Sequence, residues 1–166
     1  MNSIEIRRVR EGDEAALAFI QTESWKSAFA HILDADTLKR CADIGRSESM
    51  YRSLIKENKG SGYMLSVDGR PHCIAWWDAS RDEDMEGAAE LICIHSLPDN
   101  RRKGYGSAMM DRVISDMRAA GYKEAALWVF TENTAARMFY EAKGFSASDK
   151  IRPILGVEEI RYVRTL

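Results

Sequence analysis

The sequence is poor in the features that mark several large classes of protein. It holds three cysteines in 166 residues, and their scattered positions give neither a disulfide framework nor the paired spacing of zinc ligands. No stretch is apolar enough to cross a bilayer, and the N-terminus lacks the basic-then-apolar run of a signal peptide. We therefore expect free thiols, no metal site, no membrane association and a cytoplasmic protein. The three cysteines are Cys41, Cys73 and Cys93.

The chain also lacks a strong charge of either sign. Its formal net charge is -2, from 24 basic and 26 acidic side chains. A protein held to nucleic acid by a broad electrostatic footprint is normally basic, so nucleic acid is not expected as a partner. There is no internal repeat, low-complexity segment or linker, and apolar residues make up 45% of the chain. We expect one globular domain covering residues 1–166.

Hydropathy patterns predict a mixed α/β domain with one sheet. The expected order is a strand, a helical region, three strands, a helix, a strand, a helix and two strands. Asp68-Gly69 predicts a hairpin turn. The acidic run 82–86 is expected to be a solvated loop. Strands are expected near 4–9, 63–67, 73–77, 90–97, 125–130, 145–151 and 157–163, and helices after Gly12, after Gly104 and at 134–142.

A basic, glycine-bearing turn separates the strand near 90–97 from the helix that follows Gly104. Amide groups at a helix start have no partner within the helix, and the helix dipole adds positive charge there. Gly104 and Gly106 let the main chain approach a bulky anion closely. Arg101, Arg102 and Lys103 add long-range attraction. The turn is suited to a pyrophosphate, although a basic surface turn that caps a helix accounts equally well for this segment alone.

Two segments together point to a known family. Arg101-x-x-Gly104-x-Gly106 resembles the acyl-CoA signature of the GNAT N-acetyltransferase superfamily: Gln or Arg, two residues, Gly, one residue, then Gly or Ala. Residues 127–145 are similar to the family's second motif, a strand, a turn with Asn133, and a helix that ends in Phe-Tyr-x-x-x-Gly-Phe. The resemblance covers roughly residues 88–146. It implies an α/β fold whose central, mostly antiparallel sheet is splayed between strands 4 and 5 and flanked by helices.

The resemblance also implies the substrates and the residues that bind the donor. Acetyl-CoA is the expected acetyl donor, without a metal, and a primary amine of a small molecule or peptide is the expected acceptor. The backbone of Ile94, His95 and Ser96 is expected to bind the pantetheine arm as an added strand would. Asn133 is expected to contact the same arm, with a helix N-cap as its alternative role. The residues assigned to the pyrophosphate turn are Arg101, Arg102, Lys103, Gly104, Tyr105, Gly106 and Ser107.

Two side chains are candidates for catalysis. Tyr140 matches a tyrosine that family members place near the thioester sulfur, where a phenol can protonate the leaving thiolate. Glu90 stands where some members carry a catalytic glutamate, and its alternative is an exposed strand-end carboxylate. His95 is a second candidate base, although strict alternation places it on the face opposite Glu90. In the family, a backbone amide near Ile94 stabilises the oxyanion.

The acceptor is not identified by the sequence. Glu23 and several aromatic residues could line its pocket, and aromatic core packing is the alternative for each ring. A non-catalytic acyl-CoA-binding module is the alternative function, and a homodimer is compatible with the family. The aromatic candidates are Trp25, Phe29, Trp76, Trp77 and Trp128.

Overall fold

The computed structural model describes residues 1–100 and 102–166. The observed order of elements is the predicted one, with three helices after the first strand and short 3-10 turns at Glu83–Met85 and Pro98–Asn100. The strands are β1 Ile4–Arg8, β2 Ser61–Val67, β3 Arg70–Ala79, β4 Ala89–Ser96, β5 Glu124–Phe130, β6 Ser146–Ile154 and β7 Val157–Thr165. The helices are α1 Glu14–Ala28, α2 Ala35–Cys41, α3 Ile44–Lys56, α4 Tyr105–Ala119 and α5 Thr134–Ala142.

The strands form one sheet in the order β1-β2-β3-β4-β5-β7-β6. Every neighbouring pair is antiparallel except β4 and β5, which are parallel. The register of β4 with β5 covers only Ala89–Leu91, and the two strands separate beyond it. The predicted fold class, a mostly antiparallel sheet splayed between strands 4 and 5 and flanked by helices, is confirmed.

Local sequence signals explain several element boundaries. Asp34 and Asp43 cap α2 and α3, because their carboxylates accept hydrogen bonds from the amides of Thr37 and Arg46. At the hairpin between β2 and β3, Asp68 and Gly69 both have positive φ, as a tight two-residue turn requires.

Helices cover both faces of the sheet and bury two apolar clusters. Met109, Met110 and Met117 of α4 pack on one face with Trp77. On the other face, α1 and α3 pack against Trp76. Trp76 and Trp77 are buried in these clusters, which matches the core alternative for both. Among the described residues, no helix is long and apolar enough to span a membrane.

A β-bulge in β4 corrects one prediction. Trp76 of β3 pairs with Cys93, while Trp77 pairs with Leu91, so β4 has one extra residue, Ile92, at this point. The extra residue reverses the alternation of side chains along the rest of β4. Glu90, which pairs with Asp78, and His95, which pairs with Ile74, consequently lie on the same face of the sheet. The expectation that they lie on opposite faces was wrong.

Candidate active site

The separation of β4 from β5 leaves one edge of β4 open next to the basic turn. Ile94, His95 and Ser96 are in register with β3, whereas the pairing with β5 ends at Leu91. An open strand edge presents backbone donors and acceptors to an extended ligand. The residues predicted to bind the pantetheine arm therefore lie next to the parallel junction of β4 and β5.

The basic turn ends at the N-terminus of α4. Arg102 and Gly104 both have positive φ, 64° and 81°, and Gly104 is the N-cap of the helix. A left-handed residue at this point turns the chain so that the first amides of α4 point away from the helix. Arg102 and Lys103 are exposed beside them. Arg101, also predicted here, lies outside the described residues.

Asn133 has the capping role that the sequence left open. It is the N-cap of α5, and its side-chain oxygen accepts a hydrogen bond of 3.3 Å from the amide of Ala136. Its side-chain nitrogen is not used in this cap, so a contact with a ligand and the capping role are compatible. The cofactor contact of Asn133 stays a prediction.

Tyr140 lies on α5 among other aromatic rings. Its ring centroid is 5.5 Å from Phe139, 6.2 Å from Phe145 and 6.4 Å from Tyr162. Burial, and secondarily the neighbouring Cys93, raise the pKa of Tyr140 above its ordinary value. The phenol is consequently protonated throughout the physiological range and is a hydrogen-bond donor.

The helix that carries Tyr140 is anchored by a polar chain. The guanidinium of Arg137 donates to the hydroxyl of Tyr162 at 2.8 Å and to the carbonyl of Thr131 at 3.0 Å. The Tyr162 hydroxyl in turn donates to the carboxylate of Glu141 at 2.8 Å. These bonds connect α5 with β7 and with the end of β5, and they hold Tyr140 in position.

Glu90 is buried, with 2% of its surface exposed. The alternative of an exposed strand-end carboxylate was therefore wrong. Its carboxylate accepts three hydrogen bonds from one residue, Arg81: one from the backbone amide at 3.0 Å and two from the guanidinium. Arg81 lies in the loop between β3 and β4, and the sequence analysis did not identify it. Only the folded chain brings this arginine to Glu90.

His95 is held by an aromatic residue of α1. The indole nitrogen of Trp25 donates to Nε2 of His95 at 3.3 Å, so the neutral imidazole carries its proton on Nδ1. Burial lowers the pKa of His95 to about 4. His95 is thus neutral near pH 7, and its Nε2 lone pair is already used, which makes it a poor candidate for the base.

An aromatic cluster crosses the gap between β4 and β5. The ring centroid of Phe29 lies 5.0 Å from the ring centroid of Trp25 and 4.8 Å from that of Phe130 at the end of β5. Trp25 also contacts His95 on β4. Trp25 and Phe29 were predicted as candidate pocket residues, whereas Phe130 was not. All of these rings lie on the face of the sheet that carries Glu90.

The acidic run 82–86 is not simply a solvated loop. Asp84 forms a bidentate ion pair with Arg161 of β7, at 2.7 and 2.8 Å, and Asp82 accepts from Arg161 and from the indole of Trp128. The guanidinium of Arg152 stacks over Trp128 at 4.0 Å. The run therefore folds over β5 and β7 and forms one wall beside Glu90.

Two further residues on this side were missed. Ile92, the bulged residue, is 39% exposed although β4 is a central strand, which marks open space at the separation of the strands. Tyr51 of α3 is buried and donates to Gln21 of α1, with Cys93 also in contact. Within the described residues, no group of His, Cys, Asp and Glu side chains is placed to hold a metal ion.

Comparison with known proteins shows which family the chain belongs to. The model of the acetyltransferase (GNAT) family matches residues 25–145. An uncharacterised N-acetyltransferase, MJ1207, of Methanocaldococcus jannaschii is 27% identical over 105 residues, which are 61% of this chain and 46% of that protein. The spermidine N(1)-acetyltransferase of Thermoplasma acidophilum is 26% identical over 159 residues, covering 89% of this chain and 91% of the relative.

A solved structure has the same fold over its whole length. The PaiA N-acetyltransferase of Thermoplasma acidophilum, solved in complex with coenzyme A, superimposes with a TM-score of 0.85. The match covers 99% of both chains at 21% sequence identity. The chain spans less than half of MJ1207, so that protein contains sequence with no counterpart here.

Proposed function

Because the chain belongs to the acetyltransferase (GNAT) family, we propose that it transfers the acetyl group of acetyl-CoA to a primary amine by direct attack in a ternary complex. The observation that carries the proposal is the open edge of β4 beside the left-handed Gly104 turn at the start of α4. An extended arm that ends in a pyrophosphate matches this combination of an open strand edge and free helix amides.

In this proposal, backbone groups bind the donor. Amides between Arg102 and Ser107 bind the pyrophosphate, and Arg101, Arg102 and Lys103 contribute positive charge. The backbone of Ile94, His95 and Ser96 binds the pantetheine arm, with Asn133 on the opposite side of the gap. An amide near Ile94 stabilises the oxyanion of the tetrahedral intermediate.

Glu90 is proposed as the base. An alkylammonium has a pKa of about 10.4, so the amine must lose a proton before it attacks. Glu90 accepts that proton, directly or through water, and releases it to solvent. The nitrogen then forms a bond to the thioester carbonyl carbon, and the carbonyl oxygen becomes the oxyanion.

Tyr140 is proposed to assist the leaving group. When the tetrahedral intermediate collapses, the carbon–sulfur bond breaks and the thiolate receives the phenolic proton of Tyr140. A second proton leaves the nitrogen and returns to the phenol. Each turnover thus converts one ammonium and one thioester into one amide, one thiol and one proton in solution.

Three broader features belong to the same proposal. Residues 1–166 act as one domain, since a single sheet contains strands from both ends of this range. A cytoplasmic location fits the three free thiols. A homodimer through the edge strand β6, where Ile151 is exposed, is the assembly to test by light scattering.

The test is a thiol-release assay with acetyl-CoA and a panel of amines. The panel contains spermidine, because a relative is named for it, together with amino acids, aminoglycosides and peptides with free N-termini. We expect release of free CoA above a no-amine control with one class. Acetyl-CoA binding by calorimetry without release for any amine would instead support the alternative, a non-catalytic acyl-CoA-binding module.

A further inference from the structure

The ion pair between Glu90 and Arg81 is unequal in its exposure. The carboxylate of Glu90 is almost completely buried, whereas the side chain of Arg81 is 63% exposed. A buried carboxylate requires a cationic or hydrogen-bonding partner, because water does not solvate it. An exposed arginine has no comparable requirement, because water solvates the guanidinium when it leaves the pair.

The side chain of Arg81 can leave without a change in the fold of its loop. The backbone amide of Arg81 donates separately to Glu90, and the amide of Ser80 donates to the carbonyl of Ala88 at 2.9 Å. These two bonds hold the loop whether or not the guanidinium is in place. Rotation about the side-chain bonds of Arg81 is then sufficient to release one face of the Glu90 carboxylate.

The position of the guanidinium favours a cation. The pKa of Arg81 is raised, first by its hydrogen bonds with Glu90 and then by the charges of Glu90, Asp82 and Glu159. Asp78 of β3 is the register partner of Glu90 on β4, and it adds a further acidic group on the same face of the sheet. The nearby arginines are held elsewhere, Arg161 by Asp84 and Arg152 by Glu159.

The same position is next to the reacting centre in the proposed function. The β4–β5 pairing ends at Leu91, so the open gap begins one residue after Glu90. Ile92 follows and is exposed at the gap. In the proposed function the acceptor nitrogen must reach the Glu90 carboxylate, which the guanidinium of Arg81 occupies.

We propose that Arg81 occupies, in the free protein, the place that the ammonium group of the acceptor takes at Glu90. Binding exchanges one cation for another on a buried carboxylate, and the guanidinium moves into solvent. Arg81 is therefore a positioning residue: its guanidinium pairs with the Glu90 carboxylate until the acceptor arrives and competes with the acceptor for it. The proposal rests on acetyl transfer to an amine and adds that the acceptor binds as a cation.

The first test requires no turnover. Thermal unfolding of the Arg81→Gln variant is followed at pH 8 in methylammonium chloride and, at equal ionic strength, in tetramethylammonium chloride, which has no N–H donor. We expect methylammonium to raise the Tm of Arg81→Gln by at least about 2 °C relative to tetramethylammonium. The wild type and the double variant Arg81→Gln/Glu90→Gln are expected to show no such difference. Equal Tm values of Arg81→Gln in the two salts would overturn the proposal.

The second test separates KM from kcat with spermidine as the acceptor. Arg81→Gln is expected to lower the KM for spermidine about 3- to 10-fold, because the competing cation is gone, with kcat changed less than about 3-fold. Arg52→Gln is the control. The side chain of Arg52 is 57% exposed and forms an ion pair with Glu48 on α3, and its removal is expected to change neither KM nor kcat. An unchanged or higher KM in Arg81→Gln would contradict the exchange.

Two controls keep the outcomes separate. If Arg81→Gln does not fold, Arg81→Lys retains the charge without the planar guanidinium, and it is expected to give smaller changes in the same directions. Absence of CoA release by the wild type with every amine would refute acetyl transfer. A normal wild-type rate combined with equal Tm values in the two salts would refute only the role of Arg81.

Discussion

The proposed donor side and the proposed acceptor side of the gap are built in different ways. The donor side consists of a nearly continuous segment, from Ile94 at the end of β4 to Ser107 in the first turn of α4, and its proposed contacts are backbone amides and carbonyls. The acceptor side is built from side chains of α1, the β3–β4 loop, β4, β5, β6 and β7. A backbone site depends on conformation and leaves a local signature, whereas a side-chain site depends on which elements meet.

The charges differ in the same way. On the donor side, Arg102 and Lys103 are exposed. On the proposed acceptor side, several charged residues of the wall are already in ion pairs, as in Arg81 with Glu90 and Arg161 with Asp84. Exposed charges attract a ligand from a distance. A charge that is already paired instead accepts only a ligand that can replace its partner, and it therefore distinguishes between ligands. In the proposed function, the exposed charges would attract the anionic donor and the paired charges would select a cationic acceptor.

The largest expected effect lies where the two sides meet, at Tyr140. Tyr140→Phe removes the proton donor and keeps the ring, so we expect kcat to fall about 10²- to 10⁴-fold. The KM for acetyl-CoA should stay within about 2-fold, because backbone groups bind the donor. Tyr122→Phe, at a ring that packs on Trp77, is the control and should leave kcat unchanged. Steady-state kinetics distinguish the two, and an unaltered kcat in Tyr140→Phe would remove this residue from the mechanism.

A smaller effect tests whether the donor side depends on backbone conformation. Gly104 and Gly121 lie at the two ends of α4, both with positive φ and with open space where a Cβ would stand. Alanine at either position should lower the free energy of unfolding by about 1 kcal/mol, because L-residues disfavour this region. Only Gly104→Ala should also raise the KM for acetyl-CoA, by about 10-fold. Equal KM values for the two variants would show that the turn does not bind the donor.

The smallest effect concerns His95, the partly buried histidine of the proposed acceptor side. Because burial lowers the pKa of His95 to about 4, the unfolded chain, with a pKa of about 6.5, binds the proton first. This contribution to stability is complete above pH 6.5 and is lost as the pH falls toward 4. Between pH 7 and pH 5.5, the free energy of unfolding of His95→Gln should therefore fall by about 1 kcal/mol less than that of the wild type, measured by urea unfolding.

Trp25→Phe provides the matched control for this comparison. It removes the indole donor but leaves the histidine, so the loss of stability between pH 7 and pH 5.5 should persist. A wild type and a His95→Gln variant with the same pH dependence would mean that His95 is not buried as a neutral group. The acceptor side would then be more hydrated than the described contacts indicate.

The bulge at Ile92 shows why part of the site was not predictable. Ile92, Cys93 and Ile94 are all apolar, so hydropathy carries no alternation from which a change of face could be recognised. The extra residue is visible only in the register with β3, where Trp76 and Trp77 pair with residues two apart. Strict alternation therefore placed His95 on the wrong face relative to Glu90.

The contacts of the acidic run 82–86 were not predicted, for a related reason, although most of the run is exposed as expected. A cluster of carboxylates in a linear sequence is most often solvated, and nothing near it in the chain indicates a partner. Its partner Arg161 is 77 residues from Asp84 and lies on β7, the last strand along the chain. The pairing of Arg81 with Glu90 spans only nine residues, but it depends on the loop folding back over β4.

The sequence by itself determined the order of elements, the family, the glycine turn at α4 and the candidate role of Tyr140. These features follow from local properties: hydropathy period, positive φ at glycine, helix caps and a continuous motif. Only the tertiary structure decided the face of His95, the burial of Glu90 and the engagement of Glu90 by Arg81. Those features arise because strand register and burial bring distant charges together, and a buried charge is stable only beside the partner that the fold supplies.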